Sequence, residues 1–137
     1  MIRSARSDDA QQIARLMGQL GYDVAASAIA DRLQSRAERE VFVVLDGERV
    51  VGWAAVCAQE TFVDGVGGYL EGLVVDESVR SSGIGARLLD VVEAWARERG
   101  CTEIRVHSNV VRERAHTFYR RRGYAAIKTQ YYFRKSF

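Results

Sequence analysis

Proline is absent from all 137 residues of this chain. At an ordinary usage of about 5 %, roughly seven would be expected. That absence excludes a polyproline linker, a collagen-like segment and any function resting on a cis-proline. Turns must then be built by glycine, of which there are 12. Cysteine is also scarce: Cys57 and Cys101 stand far apart, without metal-ligand spacing, and they imply no disulfide framework. No apolar run approaches 18 residues, and no basic-then-apolar leader opens the chain. The expectation is a reduced, soluble, cytoplasmic protein that uses no metal and does not enter a membrane.

What is present suits one ordinary domain spanning residues 1–137. Hydrophobic residues make up 47 % and charged residues 28 %, a globular composition with enough chain to bury a core. The net charge of +2 conceals an asymmetry. Residues 1–104 carry 11 Lys and Arg against 17 Asp and Glu, while residues 105–137 carry nine against Glu113 alone. A basic final quarter suits a polyanionic ligand, nucleic acid among them, or simply solvated faces.

Periodicity predicts the elements. Met1–Ser4 reads as a first strand. Ser7-Asp8-Asp9 signals a helix start, followed by Ile13, Leu16, Met17 and Leu20 at helical spacing. Ser27–Arg36 reads as a second helix. Val41–Leu45 and Val50–Cys57 form a hairpin about Asp46-Gly47. Asp64–Gly68 reads as a flexible connection, Tyr69–Val75 as a strand, Gly83–Arg99 as a long helix, and Ile104–Ser108 as a strand. Arg112–Arg122 reads as a helix, and Tyr124–Phe137 as two short strands turning near Thr129. The predicted order is β-α-α-β-β-β-α-β-α-β-β, a mixed α/β fold with a parallel crossover at its centre.

The chemistry concentrates where the strand ending Leu73-Val74-Val75 runs into Arg80-Ser81-Ser82-Gly83-Ile84-Gly85-Ala86 and opens a helix. First-turn helix amides lack intrahelical partners and share the positive end of the dipole, so they attract an anion. Gly83 and Gly85 let a phosphate approach the backbone, and Arg80, Ser81 and Ser82 supply further donors. A P-loop would need Gly-Lys-Ser/Thr, but Ala86-Arg87 follows Gly85; a dinucleotide fingerprint would need glycine where Leu88 stands. A phosphate or pyrophosphate site remains, beside the alternative of a helix start whose glycines serve packing alone.

Arg80, Gly83 and Gly85 match the Gln/Arg-x-x-Gly-x-Gly/Ala signature of the GNAT superfamily of N-acetyltransferases, which the chain resembles along essentially its whole length. Leu73-Val74-Val75, Asn109, Ala115–Tyr119 and Gly123-Tyr124 extend the resemblance. It implies direct transfer of acetyl from acetyl-CoA to a primary amine in a ternary complex. It further implies a bulged, splayed central strand, a homodimer, and backbone groups of Leu73, Val74 and Val75 on the pantetheine arm. The turn from Arg80 through Ser81, Ser82, Gly83, Ile84 and Gly85 to Ala86 would hold the pyrophosphate. Asn109 would bond the pantetheine or line the cleft, cap the next helix, or both. Many members carry proline where Glu77 stands, so a looser turn is expected there.

By the same resemblance Tyr119 is the candidate general acid: a phenol of pKa about 10 stays protonated at neutral pH and can donate to a thiolate. Glu71 is the candidate base or amine anchor, expected on the strand face shared with Leu73 and Val75. Glu60 and Asp64 are further candidates for acceptor binding. His116 reads as structural or solvent-facing, and neither His107 nor His116 has an evident catalytic partner in sequence. Cys57 and Cys101 lack a neighbouring His, which disfavours a covalent acyl-enzyme. The acidic first 104 residues would suit a cationic acceptor such as a polyamine, an aminoglycoside or a lysine side chain. Two readings stand beside the enzyme: a silent CoA-binding regulatory module on the same fold, and a nucleic-acid-binding domain using the Arg-rich final quarter, although no zinc-finger or helix-turn-helix motif is present.

Overall fold

The computed structural model describes residues 1–35, 37–80 and 82–137. The chain divides into two compact units, Met1–Val106 and His107–Phe137. The first unit contains β1 (Ile2–Ser4), α1 (Ala10–Gly18), α2 (Ala26–Leu33), β2 (Arg39–Asp46), β3 (Arg49–Thr61), β4 (Gly65–Val75), α3 (Ile84–Glu98) and β5 (Ile104–Val106). Short 3-10 turns at Ser7–Asp9 and Glu77–Val79 precede α1 and α3. The second unit contains α4 (Glu113–Arg121). Among the described residues no helix is long and apolar enough to cross a membrane.

The five strands form one sheet in the order β1-β2-β3-β4-β5, antiparallel except for the parallel β4–β5 pair. Successive strand residues face opposite sides. Trp53, Ala55 and Val74 join Ile13 and Leu16 of α1 and Ile29 of α2 in a buried cluster on one side. Gly52 abuts Ile84 and Leu88 of α3 on the other, so close that a Cβ there would lie 3.2 Å from Ile84 Cγ2. Both faces of the central strands are therefore covered, which explains why β3 reads as an almost unbroken apolar run from Val50 to Ala58.

Three expectations need correction. Asp64–Gly68 is not a flexible connection: Gly65–Gly68 belong to β4 and pair with β3. Glycine suits this strand because Gly68 lies against Ala96 and Ile104, where a Cβ would come within 2.8 Å of Ile104 Cδ1. The second helix ends at Leu33, and Arg36 lies outside the described residues. The tail carries no strand: residues 124–137 make no ladder, and Ile127, Tyr131, Tyr132, Phe133 and Phe137 are exposed. Two short strands are expected there from the sequence, but a two-stranded hairpin without a sheet to join is marginal in water.

The decisive irregularity lies in β4. Ala55 faces Gly72 and Val56 faces Leu70, so Glu71 is an extra residue with no partner of its own. This is a β-bulge, and it reverses the side-chain alternation downstream. Leu73 and Val75 pair with Ala54 and Gly52 on the α3 side. Glu71 instead faces the α1–α2 side with Gly72, Ala55 and Trp53. The expectation that Glu71 shares a face with Leu73 and Val75 is thus overturned by the bulge.

Gly72 follows from the same feature. A Cβ at this position would lie 2.6 Å from Trp53 Cη2 and 2.9 Å from Cζ3, and the indole is buried. Gly72→Ala should therefore force the ring to move and destabilise the protein by about 1–3 kcal/mol. A chemical-denaturation midpoint equal to wild type would contradict this packing.

Candidate active site

The Glu71 carboxylate sits on the wall of a cavity of about 270 Å³ on the α1–α2 side of the sheet. Ile13 and Met17 of α1, Ile29 and Leu33 of α2, and Val41, Trp53 and Ala55 of the sheet make it mostly apolar. Its charged groups are Glu71, Arg32 and Arg39. Arg39 reaches over the intervening β3 to grip Glu71 with two parallel bonds, Nε donating to Oε1 at 2.6 Å and an Nη donating to Oε2 at 3.1 Å. Both side chains remain about 30 % exposed, so the pair is solvent-screened.

Cys57 stands opposite Arg39 in the β2–β3 ladder. Burial, and after it the Glu71 charge, push its thiol above the ordinary range, with Arg39 opposing. A thiol held protonated is a poor nucleophile. Cys101 is buried, and both cysteines are free. Asp64 pairs with Arg105 at 3.4 Å. Neither Asp64 nor Glu60 lines the cavity. Among the described residues no group of three or more His, Cys, Asp or Glu side chains could hold a metal ion.

β4 has a second exposed feature. β5 pairs only with Gly68, Tyr69 and Leu70 and ends at Val106. From Glu71 to Val75, the β4 edge away from β3 has no strand partner among the described residues. The backbone groups of Leu73, Val74 and Val75 that point that way make no strand ladder there.

The turn beyond β4 is anchored rather than loose. Asp76 is 2 % exposed and its carboxylate is the hub. It accepts bonds from the backbone N–H and hydroxyl of Ser78, from Arg15 at 2.9 Å, from Arg49 at 3.1 Å and from Gln19 at 3.3 Å. Gln19 also accepts from the Glu77 N–H at 3.0 Å, and the Asp76 N–H donates to Val51 O. These bonds supply the stiffness that proline would have given at Glu77 and correct the expectation of a looser turn there. The Ser78 backbone N–H first, then Arg15, hold the Asp76 carboxyl well below the usual carboxylate range against the opposing effect of burial.

Past this knot, Arg80 stands 3.9 Å from Glu77. Ser81 lies outside the described residues. The Ser82 hydroxyl donates back to Val79 O at 2.5 Å, so it closes the turn instead of offering a proton outward. Gly83 precedes α3 with φ +83°, a left-handed conformation that favours glycine, and open space surrounds the position of a Cβ. Ile84, Gly85 and Ala86 form the first turn of α3, whose amides lack intrahelical acceptors.

In the second unit, the Asn109 side-chain oxygen accepts the Val111 N–H at 3.1 Å, as a turn cap does. Its NH2 group is not consumed by that bond. Nε2 of His116 lies 2.9 Å from Asn109 O, consistent with the structural reading of that histidine. Tyr119 packs edge-on to Phe118, with centroids 5.2 Å apart, and against Tyr124 at 5.7 Å. Burial pushes its phenol above the ordinary value, with the Arg112 charge opposing, so it stays protonated at neutral pH.

Sequence reasoning missed Arg39, Arg32 and Asp76. Arg39 and Glu71 are 32 residues apart and meet only through strand order.

The bulge, the β4 edge without a strand partner and the glycine turn thus follow one another between Glu71 and the start of α3. The model of the acetyltransferase (GNAT) family matches residues 9–124, and the chain belongs to that family. It is 36 % identical to an aminoglycoside N(6′)-acetyltransferase type 1 of Stenotrophomonas maltophilia, over 97 % of this chain and 91 % of that protein. It is also 32 % identical to N-alpha-acetyltransferase 30 of Schizosaccharomyces pombe, over 66 % of this chain and 60 % of the relative. Among solved structures, an aminoglycoside 6′-N-acetyltransferase from Acinetobacter haemolyticus shares the fold, with TM-score 0.84 and 19 % identity over 100 % of this chain and 99 % of that one.

Asp76 yields a prediction. A depressed folded pKa gives stability that is fully present above the unfolded value of about 3.9 and lost as pH falls below it. Thermal melts between pH 6 and 2 should show wild type losing stability below about pH 4. Asp76→Asn should be weaker at neutral pH by about 2–3 kcal/mol, with a shallower acid limb. Parallel acid limbs in the two proteins would contradict the assignment.

Proposed function

We propose that this acetyltransferase moves acetyl from acetyl-CoA to the primary amine of a small molecule, with residues 1–137 acting as one catalytic domain. The observation that carries the reading is the bulge: it sets Glu71 on the cavity wall and is followed by the unpaired β4 edge and the anion-attracting start of α3. The chain's own groups fit the cofactor. The open edge at Leu73, Val74 and Val75 suits a pantetheine amide chain, and the Arg80–Ala86 turn suits a pyrophosphate, with Gly83 allowing close approach. A solved aminoglycoside N-acetyltransferase of the same fold holds CoA, with TM-score 0.85 and 20 % identity over 99 % of each chain. Bound acetyl-CoA supplies the activated thioester.

Glu71 accepts a proton from the acceptor ammonium, directly or through water, because an alkyl ammonium of pKa near 10 cannot attack. The amine nitrogen then forms a bond to the acetyl carbon as the carbon–sulfur bond breaks. The second amine proton balances the one that Tyr119 gives to the departing sulfur, so the products are an amide, a free thiol and one released proton. A backbone N–H on the open β4 edge, aimed at the acetyl oxygen, would contribute about 3 kcal/mol. Asn109 contributes its free NH2 donors to the cofactor arm. The chain works as a homodimer in the cytoplasm; the exposed apolar side chains from Ile127 to Phe137 support self-association.

Acetyl-CoA at 100 times its dissociation constant should stabilise the protein by about 2.7 kcal/mol. A saturating titration that leaves the melting temperature unchanged would remove the cofactor assignment. Tyr119→Phe should lower turnover roughly 10²-fold or more with acetyl-CoA affinity nearly unchanged, since the phenol acts on the leaving group. An unaltered rate of thiol release would take Tyr119 out of the reaction.

A further inference from the structure

The cavity beside Glu71 carries its own statement about the acceptor. Its wall presents a ready-made ion pair, Arg39 with Glu71, joined by two bonds and open to solvent. Such a screened pair opens at little cost. Arg32 lines the same cavity from α2 and makes no ion pair among the described residues. Two arginines and one glutamate line the wall, a formal excess of one positive charge. The remainder is apolar, formed by Ile13, Met17, Ile29, Leu33, Val41 and Trp53. At about 270 Å³ the space is below the ~300–1,000 Å³ of clefts that enclose drug-sized ligands.

These charges discriminate among amines. A lone alkyl ammonium on Glu71 would share that carboxylate with Arg39 and add a positive charge that nothing on the wall matches. A polycation would bring further positive charge against Arg39 and Arg32. A molecule with an ammonium and a carboxylate close together exchanges cleanly with the existing pair. Its ammonium goes to Glu71, its carboxylate goes to Arg39 and Arg32, and no charge is left unmatched.

Resting on the acetyltransferase reading above, we propose that the acceptor is a zwitterionic α-amino acid with an apolar side chain. Its carboxylate is held by Arg39 and Arg32, its side chain by the α1–α2 wall, and its amine by Glu71. This departs from the cationic acceptor suggested by overall charge: the acid excess of residues 1–104 is not what lines the cavity.

The test is thiol release from acetyl-CoA by the full chain. The acceptors are leucine, methionine and phenylalanine, each against its amide and its decarboxylated amine, with spermidine and an aminoglycoside included. The expected result is a kcat/KM for the free amino acids about tenfold or more above that for their amides and amines, because a charge-assisted double bond is lost with the carboxylate. Arg39→Met should bring that ratio close to one, chiefly through KM. Arg32→Met, on the exposed side of α2, should lower the ratio independently if Arg39→Met fails to fold. An amide, amine, polyamine or aminoglycoside turned over as well as or better than the amino acids would overturn the proposal. So would no thiol release with any amino acid while acetyl-CoA still raises the melting temperature; that second result would leave the cofactor assignment intact. Absence of the thermal shift would instead remove the underlying acetyltransfer reading and this proposal with it.

Discussion

One surplus residue in β4 governs the rest of the site. Opposite Ala55 the strand carries both Glu71 and Gly72, and the ladder can absorb the extra residue only as a bulge. Without it, strict alternation would turn Glu71 toward α3, with Leu73 and Val75. With it, a carboxylate reaches the α1–α2 cavity while the apolar residues after it still meet the α3 side. The closeness of the Trp53 ring then leaves room only for glycine at position 72. Chemistry and packing are both consequences of the same inserted residue.

α1 links the two halves of the proposed site. Ile13 and Met17 line the cavity beside Glu71. Arg15 and Gln19, from α1 and the residue after it, hold Asp76 and the Glu77 N–H at the entrance to the glycine turn. A single short helix therefore braces the cavity wall and the turn that precedes α3. Arg49 adds a third attachment from the start of β3. The chain has no proline with which to stiffen this turn, and a buried carboxylate with five hydrogen bonds performs that task.

Much of this was legible in the sequence, for reasons that can be named. Strong periodicity disclosed α1, α3 and the apolar β3 strand, because both signals repeat over many residues. The strand into Val75 and the helix start after Gly83 were readable from their spacing. Glu71 reads in sequence as sharing a face with Leu73 and Val75, because a bulge changes register without leaving a composition signal. Gly65–Gly68 was misread because glycine that makes room for Ala96 and Ile104 looks like glycine that makes a loop. The tail reads as two short strands in sequence, but no neighbouring strand among the described residues bonds it. Arg39 was invisible because its partnership with Glu71 exists only once three strands lie side by side. The pair's charge balance, not the net charge of the chain, is what an acceptor would meet.

The account rests on Glu71 acting on the acceptor from the bulge. The most direct measurement is the steady-state rate of thiol release by Glu71→Gln with its most active acceptor, alongside the dissociation constant for acetyl-CoA. The account predicts a kcat/KM for the acceptor lowered by roughly 10²–10⁴-fold with cofactor affinity nearly unchanged. A variant that matches wild-type kcat/KM across pH 6–9 would contradict it.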